Sequence, residues 1–328
     1  MSATDRVGNT FHIQHRDAAA FDEPNIIDLR LPWSQLVSLE LADIPLAPDV
    51  VLILMHRTAR AVVEGSFHVA FDVGRASGPN SIPPAGAMSM DVPEVRMTRL
   101  KKLTIIVGGE TLDAHFLDRI HIPQLRDLQI GLNLHQELNP GPFTRFVASC
   151  STKLERLALV DAPYQINNVE GTSMLRYPQL RPTYLELESL LESTPNIRTL
   201  HLPRSILIHA TTLEKLANGT LLPSLRVLGA TTSSTRNAEE FLSMLTARMT
   251  VAAAANARCD GANLDPGPSN FSSSGGARGV DEEEASPLAP ITSLVLGMPF
   301  AEGGTFVDDV VPKYLPFLGC VEIRIESF

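Results

Sequence analysis

A chain of 328 residues with 44% hydrophobic and 20% charged residues has the composition of a globular protein, which argues against wholesale disorder and against a membrane protein. Its 27 basic and 37 acidic residues give a net charge of −10, so we expect neither nucleic acid nor a membrane as a partner. The three cysteines form no closely spaced pair, which disfavours a disulfide framework and a cysteine zinc site.

Residues 1–30 form a polar amino-terminal segment that lacks the apolar stretch of a signal peptide. The close histidine pair in it, His12 and His15, has no cysteine nearby, so an exposed tail is favoured over a metal site. The longest apolar run, Val50 to Met55, is far shorter than the roughly 20 residues that span a bilayer, and it predicts a packed helix. We therefore expect an intracellular protein, cytoplasmic or nuclear, with no bound metal or cofactor.

A short pattern, apolar-x-x-apolar-x-apolar, recurs along the chain from residue 31 onward. Its last two apolar positions are two residues apart and face the same side of an extended strand, so each copy predicts a short half-buried strand. The weakest copy has Gly65 where the others have a large apolar residue. The nine copies begin at Leu36, Val62, Leu100, Leu125, Leu154, Ile197, Leu225, Ile291 and Leu318.

Between the copies the apolar period lengthens to that of a helix, as in the run from Phe143 to Cys150, which places Cys150 in the core. The segment Asn237 to Met249 predicts a further helix with Asn237 as its N-cap. Prolines two residues before an anchor, at positions 123, 195, 223 and 316, predict the point where helix gives way to strand. Other helices are predicted at Asp49–Ala59, Leu112–Ile120 and Tyr184–Glu192.

One strand and one helix cannot bury their apolar faces alone, so neighbouring units must stack. The predicted fold class is α/β: an irregular leucine-rich-repeat solenoid over residues 31–328, with a parallel strand face and an outer helix layer. Three long intervals are predicted insertions, at Arg75–Glu94, Asp161–Pro182 and about 252–287. The last is rich in Ala, Gly, Ser and Pro and contains the acidic run 281–284, which predicts a disordered loop.

The segments 31–41, 149–157 and 192–200 resemble the repeat region of fungal F-box proteins, in which repeats follow similar junctions between helix and strand. The resemblance covers residue 31 to the carboxyl terminus and implies that the repeats capture a protein substrate for a ubiquitin ligase. The family's F-box, which docks on a Skp1-type adaptor, is not expected in residues 1–30, so such an adaptor is a partner only if an F-box lies upstream of them. The asparagine ladder of regular leucine-rich repeats is also missing, apart from Asn133, which predicts an irregular solenoid.

The strand residues that point away from the core would line the concave face of such a solenoid, and we predict that they bind a protein partner. A purely solvated strand face is the alternative. We also predict that the chain has no catalytic residues, because no phosphate-binding loop, dinucleotide fingerprint or metalloprotease motif occurs in it. A degenerate product without a partner, or an enzyme of unknown class, stays open as an alternative. The predicted binding residues are Lys102, Thr104, Asp127, Gln129, Arg156, Thr199 and His201.

Overall fold

The architecture comes from a computed structural model. It describes residues 10–12, 31–71, 94–108, 114–132, 141–150, 152–161, 164–167, 173–176, 183–184, 187–204, 206–232, 234–261, 288–298, 300–318 and 321–327. The α-helices are α1 (Pro48–Thr58), α2 (Ala114–Asp118), α3 (Gly141–Cys150), α4 (Glu188–Glu192), α5 (Ala210–Asn218), α6 (Thr235–Gly261), α7 (Phe300–Asp309) and α8 (Val311–Leu318), and a 3-10 turn covers Trp33–Gln35.

Sixteen strands are formed by the described residues. They are β1 (Thr10–His12), β2 (Ser38–Leu46), β3 (Glu64–Ala70), β4 (Val95–Arg96), β5 (Lys102–Gly108), β6 (Ile120–His121), β7 (Asp127–Leu132), β8 (Arg156–Asp161), β9 (Tyr164–Asn167), β10 (Ser173–Arg176), β11 (Thr183–Tyr184), β12 (Thr199–Leu202), β13 (Ile206–Leu207), β14 (Val227–Thr231), β15 (Ser293–Met298) and β16 (Glu322–Ser327).

Ten of these strands form one large sheet, in the order β1-β2-β3-β5-β7-β8-β12-β14-β15-β16. All nine neighbouring pairs are parallel, and each later strand is added at the same edge of the sheet. The prediction of an α/β fold with a large parallel sheet and helices is therefore confirmed. The sheet is open, with β1 at one edge and β16 at the other.

The predicted anchors of the repeated pattern all lie in the core, with between 0% and 6% of each residue exposed. In the first eight copies the strand begins two residues after the anchor, and the apolar positions fall into register: Leu103 pairs with Leu128, which pairs with Leu157. The weak copy at Val62 also forms a strand. There the ring of Phe67 fills the space that a side chain on Gly65 would need, since an added Cβ would lie 2.9 Å from it.

The register of the ninth copy differs from the predicted one. Ile323 and Ile325 align with Leu294 and Leu296 of β15, whereas the sequence pattern aligned Val321 and Ile323 with them. The reason is that α8 continues through Pro316 to Leu318, so the chain becomes extended two residues later than the proline predicted.

The helices cover one face of the sheet, and their buried residues belong to the same hydrophobic cluster as the inward strand residues. The predicted helices at Asp49–Ala59 and Leu112–Ile120 correspond to α1 and α2, and Cys150 is fully buried at the end of α3. Tyr184 lies in β11 rather than in a helix, so α4 is shorter than predicted.

Helix α6 is longer at both ends than the sequence pattern predicted. It begins at Thr235, and the N–H of Asn237 donates to the Ser234 hydroxyl at 3.3 Å, so Ser234 and not Asn237 is its N-cap. It ends at Gly261, so the helix includes the start of the segment 252–287, for which a disordered loop was predicted. Alanine is the strongest helix former, and the alanine run that begins at the buried Ala252 continues the helix. Residues 262–287 lie outside the described residues.

Arg248 of α6 is fully buried and ties three segments of the chain together. Its guanidinium donates to the carbonyl oxygens of Leu216, Leu222, Pro223 and Ala289, at 2.6 to 3.3 Å. Burial lowers the pKa of Arg248 to about 10, which leaves it charged at neutral pH. The cation therefore satisfies carbonyl groups at the end of α5, in the turn before β14 and at the approach to β15.

The predicted amino-terminal tail and one of the predicted insertions contain strands. In the segment 1–30, which was predicted to be a tail, Thr10–His12 pairs with Ser38–Glu40 and extends the sheet by one strand. In the predicted insertion 161–182, β9 and β10 form an antiparallel pair outside the large sheet. Of the third interval, Arg75–Glu94, only Glu94 lies within the described residues.

Candidate functional site

One face of the large sheet is turned away from the helix layer, and we call it the open face. Along β5 the residues alternate between buried and accessible, with Leu103 and Ile105 buried and Lys102 and Thr104 accessible. The inward positions predicted on β7, β8 and β12 are buried as well. The predicted alternation is therefore confirmed over Lys102–Ile105, Asp127–Ile130 and Thr199–Leu202. On β8 the inward Leu157 and Leu159 are buried, but the outward Ala158 between them is buried as well, with 8% exposed.

The predicted binding residues are brought together in two neighbouring rows that run across four strands. The first row consists of Lys102, Asp127, Arg156 and Thr199, each paired in register with the next. The second row consists of Thr104, Gln129, Ala158 and His201. Neighbouring strands in a sheet lie about 4.8 Å apart, so each row is a continuous line of side chains.

A groove of about 510 Å³ lies on the open face and extends toward the carboxyl ends of the strands. Five of the predicted residues line it, while Thr104 and Thr199 do not. It also takes in residues from β8 onward that were not among the predicted binding residues. These are Ala158, Leu159, Val160, Asp161, Leu202, Pro203, Gly229, Ala230, Thr231, Val295, Gly297 and Glu326.

His201 lies in the floor of the groove and leans across the neighbouring strand. Its register partner on β14 is Gly229, and a Cβ at that position would collide with the imidazole ring. The small residues Ala158 and Gly229 on either side of His201 therefore leave room for the ring. In the sequence, this part of the groove could have been recognised from the small residues at outward strand positions.

The charges around His201 have both signs. The guanidinium of Arg156 lies 3.6 Å from the carboxylate of Asp127, and both groups are partly exposed. Burial lowers the pKa of His201, the charge of Arg156 lowers it further, and Asp127 and Glu326 oppose the shift. The imidazole is therefore neutral at pH 7, and its ring can accept or donate a hydrogen bond without carrying charge.

Two other titratable groups, His68 and Cys150, lie away from the groove. Burial lowers the pKa of His68 on β3, against the opposing effects of the Ala42 backbone and Asp43. Burial raises the pKa of the Cys150 thiol, which keeps it protonated and unreactive. Among the described residues, no three His, Cys, Asp or Glu side chains come together to hold a metal ion.

None of the helices in the described part of the chain combines the length and the hydropathy needed to cross a membrane. No protein-family model matches the chain, and no curated protein shows significant sequence similarity to it. The open face itself is therefore the feature of the chain that indicates a function.

Proposed function

We propose that the chain is an irregular leucine-rich-repeat solenoid that binds a protein partner on its open face and performs no catalysis. In this proposal the sheet curves so that the open face is concave. The addition of every strand at one edge, in chain order and with helices between strands, supports a stacked repeat, because such repeats contact only their neighbours.

The observation that carries the proposal is the one-sided burial of a parallel sheet. All-parallel sheets ordinarily have both faces covered, and their strands are then apolar on both sides. Here β3 and β5 alternate between buried and accessible residues, and the first row carries Lys102, Asp127 and Arg156. A wide polar sheet face of this kind suits reversible protein recognition, in which a few well-packed contacts dominate the affinity.

The groove on this face has mixed polarity and suits recognition better than proton transfer. Within the described residues, His201 makes no hydrogen bond to a carboxylate or hydroxyl that would orient it as a general base. The resemblance to the repeats of F-box proteins supports a partner that is itself a protein, as the substrate of a ubiquitin ligase is.

The test is a double charge reversal in the groove, Lys102→Glu with Arg156→Glu. Both side chains are exposed, so the free energy of unfolding should change by less than about 1 kcal/mol. A partner captured from lysate by the wild-type chain should bind it saturably and should bind the variant at least about tenfold more weakly.

The matched control is Arg96→Glu with Lys313→Glu, which makes the same change in net charge at exposed positions outside the groove. This control should keep the wild-type affinity. If the captured partner binds the groove variant and the wild-type chain equally well, the open face is not its binding surface and the proposal is wrong.

A further inference from the structure

The residues just before each strand form a line of their own, which we call the amino-terminal row. The N–H of each member after Val37 donates to the carbonyl oxygen of the member before it, at 2.8 to 2.9 Å. Its side chains are therefore stacked at the strand spacing of about 4.8 Å. The row consists of Val37, Val63, Lys101, Arg126, Glu155, Arg198, Arg226 and Thr292.

The centre of this row is basic although the chain as a whole is acidic. Four of the five members from Lys101 to Arg226 are Lys or Arg, and all four are exposed. The five junctions 99–102, 124–127, 153–156, 196–199 and 224–227 contain eight basic and two acidic residues, a local charge of 8 − 2 = +6 in a chain of net charge −10. Positive charge is thus concentrated at the amino-terminal ends of the strands.

This concentration is not neutralised by the described part of the chain. Arg126 has a carboxylate neighbour, Glu155, at 3.6 Å. Arg198 and Arg226 are adjacent members of the row, and no carboxylate of the described residues lies within ion-pair distance of either. Like charges on directly neighbouring strands destabilise a sheet. A line of cations that the fold leaves uncompensated points to an anionic partner.

We propose that the amino-terminal row binds an extended acidic segment of a partner protein, laid across the strands. This inference rests on the proposed function and specifies the chemistry of the partner. The row begins with two valines, of which Val37 is 42% exposed, so the segment has an apolar residue next to its acidic run. Glu155 interrupts the line of cations, so the partner segment has a residue without negative charge opposite Glu155.

The row favours a peptide over a nucleic acid. Proteins that bind single strands combine basic residues with aromatic side chains on which the bases stack, and neither the amino-terminal row nor the first row contains an aromatic residue. Glu155 and Asp127 would also lie against a regular line of phosphates. An acidic peptide can avoid both carboxylates, because its sequence need not be uniformly charged.

The test measures the affinity of the full chain for a fluorescein-labelled peptide in which two leucines precede aspartates and glutamates interrupted by one serine. Fluorescence anisotropy should show binding that weakens as salt is added. Arg198→Glu with Arg226→Glu should weaken it at least about tenfold, and Arg198→Lys with Arg226→Lys should retain most of it. The control pair Arg96→Glu with Lys313→Glu should stay within about twofold of wild type.

Three results would overturn the inference. One is equal binding of the acidic peptide by the wild-type chain and the arginine reversal, or no binding to either. Another is equal binding of a peptide with glutamines in place of the acidic residues. The third is tighter binding of a labelled thymidine oligonucleotide than of the acidic peptide, which would identify the row as a nucleic-acid surface.

The two proposals can fail separately. If the captured partner is lost on reversal of Lys102 and Arg156 while the arginine reversal leaves peptide binding unchanged, the open face binds a protein but the acidic segment is wrong. If the captured partner binds the Lys102 and Arg156 reversal as tightly as the wild-type chain, the proposed function is wrong, whether or not the acidic peptide binds.

Discussion

The covered and open faces of the large sheet are made by the same strands, yet their residues follow different rules. On the covered face, leucine occupies the same register position at 103, 128, 157, 200, 228 and 294. On the open face the second row changes at every step, from Thr104 through Gln129 and Ala158 to His201. A repeated packing requirement determines the covered face. The open face is free to vary, which is the property expected of a surface that recognises something.

The largest expected effect is on the covered face. Leu200 is fully buried between Leu157 and Leu228, so Leu200→Ala removes apolar burial and leaves a cavity. We expect it to lower the free energy of unfolding by about 2 to 5 kcal/mol, measured by urea denaturation. The neighbouring open-face substitution, Thr199→Ala, should lower it by less than about 1 kcal/mol.

If the two substitutions destabilise the chain equally, the distinction between the faces is wrong at β12. A decrease in the free energy of unfolding of less than about 0.5 kcal/mol for Leu200→Ala would have the same meaning, because truncating a core leucine and leaving a cavity destabilises a protein by more than that.

A smaller effect is expected where the open face itself is tightly packed. Gly229→Ala places a methyl group where the imidazole of His201 lies, and we expect overpacking to lower stability by about 1 to 2 kcal/mol. In the His201→Ala background the same substitution should be neutral or slightly stabilising, since alanine restricts the unfolded chain more than glycine does.

The comparison of the four proteins is a double-mutant cycle that measures the coupling between the two positions. If Gly229→Ala has the same effect with and without the imidazole, His201 does not lie across β14. In that case the imidazole would not form the floor of the groove.

The covered face could be predicted from the sequence because its rule is local. The spacing of Leu154, Leu157 and Leu159 predicts a half-buried strand without reference to the neighbouring repeats. The same reasoning failed where a local signal had two meanings. The alanines from Ala252 onward predict poor core packing and hence a loop, although alanine is also the best helix former and α6 continues through them. Pro316 predicts a helix end, although α8 runs through it.

The candidate site was predictable in part. Strand alternation identified the outward residues of β5, β7, β8 and β12, but the carboxyl-end lining of the groove, such as Asp161 and Glu326, depends on where each strand ends. The amino-terminal row could have been found by aligning the copies on their anchors and reading the next position, which is Lys101, Arg126, Glu155 and Arg198 in four successive copies. The strand Thr10–His12 carries no copy of the pattern and gave no such signal.

The smallest expected effect concerns acidification, and it tests whether the histidines of the sheet are held neutral. The pKa of His201 and that of His68 both lie below the usual 6.5 because burial disfavours the charged imidazole. The unfolded chain therefore binds protons before the folded chain does as the pH falls. The stability that these groups contribute is complete above about pH 6.5 and is lost as the pH falls through the lower folded pKa.

The measurement compares the urea midpoint of the wild-type chain with that of the double variant His68→Gln, His201→Gln, at about pH 7.5 and about pH 5.5. The charged neighbours Asp43, Asp127 and Glu326 are the same in both proteins, so the difference between the two isolates the imidazoles. The wild-type chain should lose more stability on acidification than the variant. If the variant loses as much, the two rings are solvated rather than packed. The open face would then be a hydrated surface around His201, and the contrast with the covered face would be sharper than the groove suggests.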